Sequence, residues 1–426
     1  MALIVTKFGG TSVATPERIK QVAARLVKMK REGNQVVAVV SAMGKTTDDL
    51  IKLAKQVNDN PPGREMDMLV STGERISMAL MAMAIEAIGE HAVSFTGSQV
   101  GIITDEVHTK AKIREVNGER VRRALREDKI VVVAGFQGVS RSREITTLGR
   151  GGSDTTAVAL AAALQADECM IFSDVDGVYT CDPRVVPRAR KLDTLSYEEM
   201  LELAACGSGI LQMRSVEFAR NYKVPIRCRS TFTDDPGTLI KEADPNMESA
   251  VISGIAFDTS EAKVTIRGVP DTVGIAAQVF GALAEANVNI DMIIQNISRD
   301  GYTDISFTSP KADIMKVRQV CGQVIANLGA REVVVDDTVA KVSIVGAGMK
   351  SSPGVAAKMF QTLAENGINI DLISTSSIRT SVVIDASKVQ EAARCLHTAF
   401  GLDSSVVFEE KQLSGEELAA KAAKGR

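Results

Sequence analysis

Short apolar runs alternate with helical patterns in the first half of the chain. Residues 2–5 and 35–40 are rich in β-branched side chains, and a long helical pattern covers residues 16–31 between them. A strand, a crossover helix and a second strand are typical of a parallel βαβ unit, whose buried strands have continuous apolar sequences. The same alternation predicts strands at 92–95, 130–134 and 168–172 and a helix at 155–164. We therefore predict an α/β sheet domain.

The second half contains an internal repeat. Residues 262–268 match residues 340–346, and residues 284–291 match residues 364–371 in the same order. Two copies of one unit thus begin about 80 residues apart. The predicted helices are 275–286, 314–328, 355–366 and 388–400, and the second strands are predicted to begin at Val288 and Ile368. This order predicts a βαββαβ module with two helices on one face of an antiparallel sheet.

Turn-forming and charged residues separate the two halves at 231–237 and around Pro245. We predict a first domain over residues 1–245 and a first repeat module over 262–338. The second module is predicted to combine 246–261 with 339–410, and residues 411–426 are predicted to be a frayed helical tail.

Composition narrows the classes of protein. The 426 residues carry 50 Lys and Arg against 53 Asp and Glu, which argues against a nucleic-acid partner. The six cysteines form no C-x-x-C pair, and the N-terminus lacks the features of a signal peptide. The most apolar stretch, 78–88, is interrupted by Glu86 and is too short to span a bilayer. We expect a cytoplasmic protein without a membrane partner.

Two glycine-containing loops could hold an anion. Lys7-Phe8-Gly9-Gly10 follows the first strand and precedes a helix, so its backbone N–H groups, a helix N-terminus and Lys7 could meet a phosphate. An ordinary strand-to-helix turn is the alternative. The second loop, residues 149–154, surrounds Arg150 with three glycines and opens another helix. Arginine suits bidentate capture of a carboxylate or phosphate.

Carboxylates follow the last strand of the first half, in residues 173–184. This is the edge where parallel sheets bind ligands, although a plain Asp-Gly turn is the alternative. A calcium loop is excluded because the glycine comes too early and no Glu closes the loop. Residues 41–47 and 71–74 are further candidate substrate loops.

Several common enzyme motifs are missing. Gly44-Lys45-Thr46 resembles the end of a Walker A loop, but Val39 occupies the position of the upstream glycine. The glycines also fit no Rossmann fingerprint, and the three histidines are isolated in sequence, so no Ser-His-Asp or metal-hydrolase site is predicted. A glycine-rich anion site with one Lys, one Arg and several Asp favours phosphoryl transfer.

Five segments in order resemble the aspartokinase family: 7–12, 41–44, 71–74, 149–154 and 173–179. The repeat resembles the paired ACT domains of that family, and the likeness extends to about residue 408. The resemblance implies an amino acid kinase fold, with a mostly parallel central sheet and helices on both faces, followed by two ferredoxin-like ACT modules. It implies ATP-dependent phosphorylation of the side-chain carboxylate of L-aspartate, with Mg²⁺, in the pathway to lysine, threonine and methionine.

The resemblance also implies roles for individual residues. Lys7, Arg150 and Asp154 would be catalytic, with Glu74 taking the substrate ammonium and Arg150 its carboxylate. The remaining substrate positions are Ser41, Thr46, Thr47, Gly151, Gly152 and Ser153. The nucleotide positions are Lys7, Phe8, Gly9, Gly10, Ser173, Asp174, Tyr179, Thr180, Asp182, Pro183 and Arg184.

The ACT pair implies feedback inhibition by lysine, threonine or both, and a homodimer or higher oligomer formed through the ACT sheets. The implied effector positions are Asp271, Gly274, Ile275, Ala276, Asn289, Ile290, Asp291, Gln295, Val355, Ala356, Asn369, Ile370, Ser376 and Ser377. Backbone N–H groups at a loop-to-helix turn would take the effector carboxylate, and Asp291 could take its ammonium.

The chain departs from its relatives at two points. Gly209 stands where many carry a lysine near ATP, and Ser377 and Thr380 replace a Glu and an Ile or Val beside the effector site. Two alternatives stay open. One is a catalytically impaired amino acid sensor that acts through the ACT pair. The other is a kinase of the same fold that acts on glutamate, carbamate or a nucleoside monophosphate.

Overall fold

The computed structural model describes residues 1–243, 251–296 and 301–403. The chain divides into two compact units. The first unit comprises Met1–Val178, Lys191–Ala205 and Gly209–Glu248, and the second comprises Tyr179–Arg190, Cys206–Ser208 and Ser249–Arg426. The predicted boundary at residue 245 and the predicted tail over 411–426 lie outside the described residues.

The first unit is an α/β structure. Its strands are β1 (Leu3–Phe8), β2 (Gln35–Val40), β3 (Ala92–Phe95), β4 (Ile102–Thr104), β5 (Ile113–Val116), β6 (Ile130–Ala134), β7 (Gln137–Ser140), β8 (Ile145–Thr147), β9 (Glu168–Ser173), β10 (Thr194–Ser196), β11 (Ile226–Ser230) and β12 (Thr238–Lys241). Its helices are α1 (Pro16–Arg31), α2 (Thr46–Val57), α3 (Gly63–Val70), α4 (Thr72–Glu86), α5 (Gly97–Val100), α6 (Glu119–Arg126), α7 (Gly152–Leu164), α8 (Tyr197–Ala205) and α9 (Met213–Tyr222).

An eight-stranded sheet organises this unit, in the order β10-β12-β11-β9-β1-β2-β6-β3. All neighbours in it are parallel except β11 and β12. A smaller four-stranded sheet has the order β5-β4-β7-β8. The prediction of a mostly parallel central sheet is confirmed.

Helices cover both faces of the large sheet because successive strand residues point to opposite sides. Val36, Ala38 and Val40 pack with α1 and α4 in one core cluster. Val37 and Val39 are equally buried, and α7 packs against β1, β2 and β9. Burial on both faces explains the continuous apolar runs of β2 and β6.

One helical stretch in the described part of the chain, Gly63–Glu86, is long and apolar enough to cross a membrane, with a mean hydropathy of 1.3. It is longer than the 78–88 stretch considered from sequence because only Ser71 separates α3 from α4. Asp67 and Glu74 are buried within it, and α4 packs against α1 and β3. These contacts are those of a helix in a globular core.

The second unit contains two α/β modules. Its strands are β13 (Gly254–Asp258), β14 (Glu261–Pro270), β15 (Ile293–Gln295), β16 (Tyr302–Pro310), β17 (Glu332–Asp336), β18 (Val339–Val345), β19 (Leu372–Thr375) and β20 (Arg379–Asp385). Its helices are α10 (Ile275–Glu285), α11 (Ile314–Leu328), α12 (Val355–Glu365) and α13 (Val389–Ala399). The antiparallel sheets have the equivalent orders β15-β16-β14-β17 and β19-β20-β18-β13.

The second strand of each module begins later than the sequence predicts. Val288 and Ile368 are buried, but their N–H groups donate to Leu283 and Leu363, as in the Schellman motif at a helix C-terminus. Their apolar side chains therefore close the preceding helix, and β15 and β19 start four or five residues further on.

Two equivalent ion pairs join the modules within the second unit. Lys263 Nζ lies 2.6 Å from Asp371 Oδ2, and the matching lysine of the repeat, Lys341, lies 2.6 Å from Asp291 Oδ2. Lys341 also contacts Glu261 Oε1 at 2.8 Å and is only 1% exposed. Burial alone lowers the pKa of Lys341, but attraction to Glu261 and Asp291 outweighs it and raises the pKa above its usual value. Lys341 is therefore charged.

We expect Lys341→Met to destabilise the second unit by about 3 kcal/mol, because it removes the cation from two partly buried carboxylates. Lys263→Met is the matched control and should cost about 0.5 kcal/mol, since its ion pair is more exposed. Native-state hydrogen exchange of the β14 and β18 amides in the full chain measures the loss of stability in both variants. Equal losses in the two variants would contradict this ranking.

Candidate active site

The carboxyl ends of six adjacent strands lie at one edge of the large sheet, because β11, β9, β1, β2, β6 and β3 are parallel neighbours. The loops that leave them contact one another. Gly9 N donates to Phe172 O at 3.2 Å, and Ser41 N donates to Phe8 O at 3.1 Å. Ligands of open α/β sheets bind at this edge.

Lys7 and Asp154 form an ion pair at the centre of this edge. Lys7 lies near the end of β1 and Asp154 in the first turn of α7, and Nζ and Oδ1 are 2.5 Å apart with side chains 13% and 9% exposed. Among the described residues, Asp154 Oδ1 accepts no well-aligned hydrogen bond. The pair therefore rests on charge attraction, and it fixes a cation beside a helix N-terminus, where an anion is favoured.

The glycine loop after β1 packs directly against the loop after β2. Gly44 N donates to Gly10 O at 3.0 Å. A Cβ atom on Gly10 would lie 3.0 Å from the carbonyl oxygens of both Ala42 and Gly44. Gly10 therefore permits an approach of two backbones that a larger residue would push apart.

Glu74 is a buried carboxylate with one unpartnered oxygen. It is 3% exposed, and Oε1 accepts a hydrogen bond from Ala42 N at 3.1 Å, whereas Oε2 has no partner among the described residues. Burial raises the pKa of Glu74 to about 7, partly offset by hydrogen bonds from backbone N–H groups. An ammonium group would satisfy the free oxygen and favour the ionised form.

The loop that carries Arg150 is shaped by its glycines. Gly149 and Gly151 have φ values of +79° and +67°, which favour glycine. A Cβ on Gly151 would also lie 2.6 Å from the side chain of Gln212. Arg150 is exposed between them, and Gly152 and Ser153 are buried in the first turn of α7. The loop thus places the Arg150 guanidinium in solvent beside the N-terminus of α7, the helix that carries Asp154.

The remaining predicted substrate residues begin α2. Thr46 Oγ1 donates to Met43 O at 2.6 Å, and Thr47 is half-buried. A Cβ atom on Gly73, at the start of α4, would lie 2.8 Å from Ala42 Cβ in the loop after β2. The start of α4 therefore packs closely against this loop, which in turn contacts the loop after β1.

The predicted nucleotide residues divide between the two units. Ser173 ends β9 in the first unit and Asp174 follows it, and the Ser173 hydroxyl bonds the Val175 backbone. Five others belong to the second unit: Tyr179, Thr180, Asp182, Pro183 and Arg184. Their nucleotide role stays a prediction.

Within the second unit, Thr180 is fully buried and its hydroxyl lies 2.8 Å from His397 Nε2. His397 Nδ1 lies 2.8 Å from Asp403 Oδ1, and burial lowers the pKa of this histidine despite that carboxylate. Arg184 pairs with Asp182 through two contacts, 2.9 and 3.1 Å long. The segment is held by the second unit's own contacts.

The predicted effector residues lie at equivalent places in the two modules. Gly274 and Gly354 both have φ +90° and precede α10 and α12. Asp271, Ile275 and Ala276 surround the first helix start, and Val355 and Ala356 begin the second helix. The others lie in or beside the following strands: Asn289, Ile290, Asp291, Gln295, Asn369, Ile370, Ser376 and Ser377. Asp291 already has Lys341 as a partner.

Sequence reasoning missed Thr231. Its hydroxyl lies 2.6 Å from that of Ser12, and its N–H donates to Ser173 O at 2.8 Å. It belongs to the turn-rich stretch that separates the two halves, and the two arginines of β11 interrupt the apolar pattern of the strand before it. The available signal was the alternation of Ile226, Cys228 and Ser230 on one face of β11.

Comparison with protein families identifies both parts of the chain. The model of the amino acid kinase family matches residues 2–230. ACT domain models match residues 264–320 and 342–400.

Relatives match nearly the whole chain. The aspartokinase of Mycolicibacterium smegmatis is 57% identical over 416 residues, which cover 96% of this chain and 99% of that protein. E. coli aspartokinase III in complex with aspartate and ADP is 24% identical, with a TM-score of 0.82 and coverage of 93% and 99%. Its complex with lysine and aspartate has a TM-score of 0.71, with the same identity and coverage. The two E. coli structures have the same fold as this chain. The 57% identity to the Mycolicibacterium smegmatis protein establishes that the chain belongs to the aspartokinase family.

Proposed function

We propose that the first unit transfers the γ-phosphoryl group of ATP to the side-chain carboxylate of L-aspartate, giving 4-phospho-L-aspartate for lysine, threonine and methionine synthesis. The observation that carries this proposal is the buried, unpartnered Oε2 of Glu74. A buried carboxylate oxygen without a partner is costly, and an amino acid ammonium is the group that would relieve that cost.

The acceptor needs no general base. An aspartate side chain has a reference pKa of about 3.9 and is ionised at neutral pH. The difficulty is electrostatic, because an anion attacks a polyanion. Lys7, held by Asp154 beside the N-terminus of α7, supplies fixed positive charge at the reacting groups.

Mg²⁺ fits this site as a companion of the nucleotide. Among the described residues no group of three or more His, Cys, Asp or Glu could hold a metal ion. Magnesium is usually bound by one or two carboxylates together with substrate phosphates. Asp154 and Asp174 offer such carboxylates at the sheet edge and would hold the ion, which would neutralise phosphate charge when bound.

Arg150 pairs with the α-carboxylate of the substrate in this proposal, and Glu74 takes the α-ammonium. Ser41, Thr47, Gly151 and Ser153 complete the aspartate pocket. Gly9, Gly10 and Ser173 border the nucleotide. Glutamate, one methylene longer, would place its side-chain carboxylate out of line with the phosphoryl group.

The second unit is proposed to bind lysine, threonine or both at the helix starts after Gly274 and Gly354. A homodimer through the ACT sheets is supported by Ile293 and Ile373, which are 53% and 43% exposed at equivalent places on β15 and β19. The cytoplasm, which supplies ATP and amino acids, is the proposed location. The impaired-sensor alternative is not favoured, because Lys7, Glu74 and Asp154 retain a complete charged constellation.

A coupled ADP-release assay across three acceptors tests the reaction. We expect turnover with aspartate and at least a hundredfold lower kcat/KM with glutamate and with acetylglutamate, because the latter also lacks the ammonium that Glu74 requires. Preference for either of the other acceptors would contradict the proposal.

The aspartate KM should depend on pH through Glu74. The pKa of about 7 means that Glu74 is protonated below pH 7 and ionised above it. Since ammonium binding needs the ionised form, KM should rise about tenfold per pH unit below 7 and level off above it.

Steady-state kinetics between pH 5.5 and 8.5 at saturating ATP check this. Glu74→Gln should give a high KM that no longer varies over this range. Glu86→Gln, an exposed change at the other end of α4, is the control and should keep the wild-type profile. A pH-dependent KM that persists in Glu74→Gln would assign the titration to another group.

Feedback control is tested with the same assay. We expect inhibition of the full chain by lysine, by threonine or by both together, with the strongest effect from the pair. Activity that is unchanged under every combination would refute regulation by these two amino acids.

A further inference from the structure

Asp67 is a fully buried carboxylate on α3 that has no place in the proposed reaction. Its oxygens accept a hydrogen bond from Thr147 Oγ1 at 2.5 Å, one from His108 Nδ1 at 2.8 Å and the Thr109 N–H at 3.1 Å. A buried carboxylate is tolerated only when it is bonded in this way. Asp67 therefore ties α3 to two other chain segments, the loop around residue 108 and the end of β8.

The first of these segments is held in an unfavourable conformation. Thr109 has φ +66°, and a β-branched residue in the left-handed region is strained. Both oxygens of Asp67 lie 3.1 Å from the Thr109 N–H group. Strain of this kind persists where surrounding contacts enforce it, and it is concentrated at functional sites.

The second segment leads directly to Arg150. Thr147 is the last residue of β8 and stands three positions before Arg150. Ala111 N donates to Thr147 O at 2.9 Å. Arg214 adds a second clamp, since its guanidinium donates to Leu148 O at 2.9 Å and to Ala111 O at 3.0 Å. The path of the chain into Arg150 is thus fixed from two sides.

The helix that carries Asp67 also leads to Glu74. Asp67 O accepts the N–H of Ser71 at the end of α3, and α4 starts at the next residue with Glu74 in its first turn. One residue therefore links the element that presents Glu74 with the element that presents Arg150.

We propose that Asp67 is a positioning residue that sets the separation between Glu74 and Arg150, and with it the aspartate KM and the preference for aspartate over glutamate. This inference rests on the proposed function, in which these two side chains hold the ammonium and the α-carboxylate. A shift of the Arg150 loop would misplace the acceptor carboxylate and leave the nucleotide loops after β1 and β9 unchanged.

Thr147→Val tests this with little change in shape, since it removes only the hydroxyl that bonds Asp67. We expect the aspartate KM to rise about tenfold or more, and the ratio of kcat/KM for aspartate over glutamate to fall by a similar factor. The ATP KM and kcat should stay within threefold. Asp67→Asn should shift the same two quantities in the same direction.

Thr146→Val is the matched control. Thr146 lies on the same strand, is equally buried, and pairs with the Thr104 hydroxyl at 2.6 Å instead of with Asp67. It should keep the wild-type aspartate KM and acceptor ratio while losing comparable thermal stability.

The outcomes separate the two levels of the proposal. Unchanged aspartate KM in folded Thr147→Val overturns the positioning role, as do equal changes in Thr146→Val. If Asp67→Asn does not fold, Thr147→Val decides alone. Failure of the unaltered chain to phosphorylate aspartate overturns the proposed function itself, before any variant is compared.

Discussion

The ion pair between Lys7 and Asp154 is the contact on which the geometry of the first unit depends. Each charge is nearly buried, and burial of an unpaired ion costs several kcal/mol, so both must arrive at one place. This requires β1 to lie between β2 and β9 and α7 to begin over their carboxyl ends. The glycines at 149 and 151 then become necessary, because the chain must turn sharply between β8 and α7. A cation fixed in this way needs no rearrangement when phosphate arrives.

The sequence predicts the centre of the sheet well and its margin poorly. The central strands β2 and β6 are apolar at nearly every position because helices cover both of their faces. The apolar pattern does not indicate strand β11, because Arg227 and Arg229 interrupt it. Arg227 pairs with Glu168 at 2.6 Å, and Arg229 lies over the ring of Phe172. These charges are satisfied by tertiary partners far away in sequence, and no local pattern indicates such partners.

The internal repeat also predicts only part of the contacts in the second unit. It identifies Lys263 with Lys341 and Asp371 with Asp291, but it cannot tell whether equivalent residues meet within a copy or between copies. The structure exchanges them, so each lysine pairs with the aspartate of the other module. Glu261 breaks the equivalence, since the matching position is Val339, and this explains why only one of the pairs is a buried triad. The nucleotide role of residues 179–184 is implied by the resemblance to the family alone, and the apolar Tyr179 and Cys181 of this segment pack in the core of the second unit.

Glu74 connects these constraints to binding. A carboxyl group whose pKa is about 7 is half protonated at neutral pH, so the empty site is relieved of part of its charge. An ammonium ligand reverses this, because it pairs with the ionised form and displaces the proton. The Lys7–Asp154 pair acts in the same sense, since its opposite charges compensate each other in the empty site while Lys7 stays in place to attract phosphate. When the site is empty, its buried charges are compensated by a proton or by each other. When substrates bind, the same charges pair with them, so a stable core is compatible with the recognition of two anions.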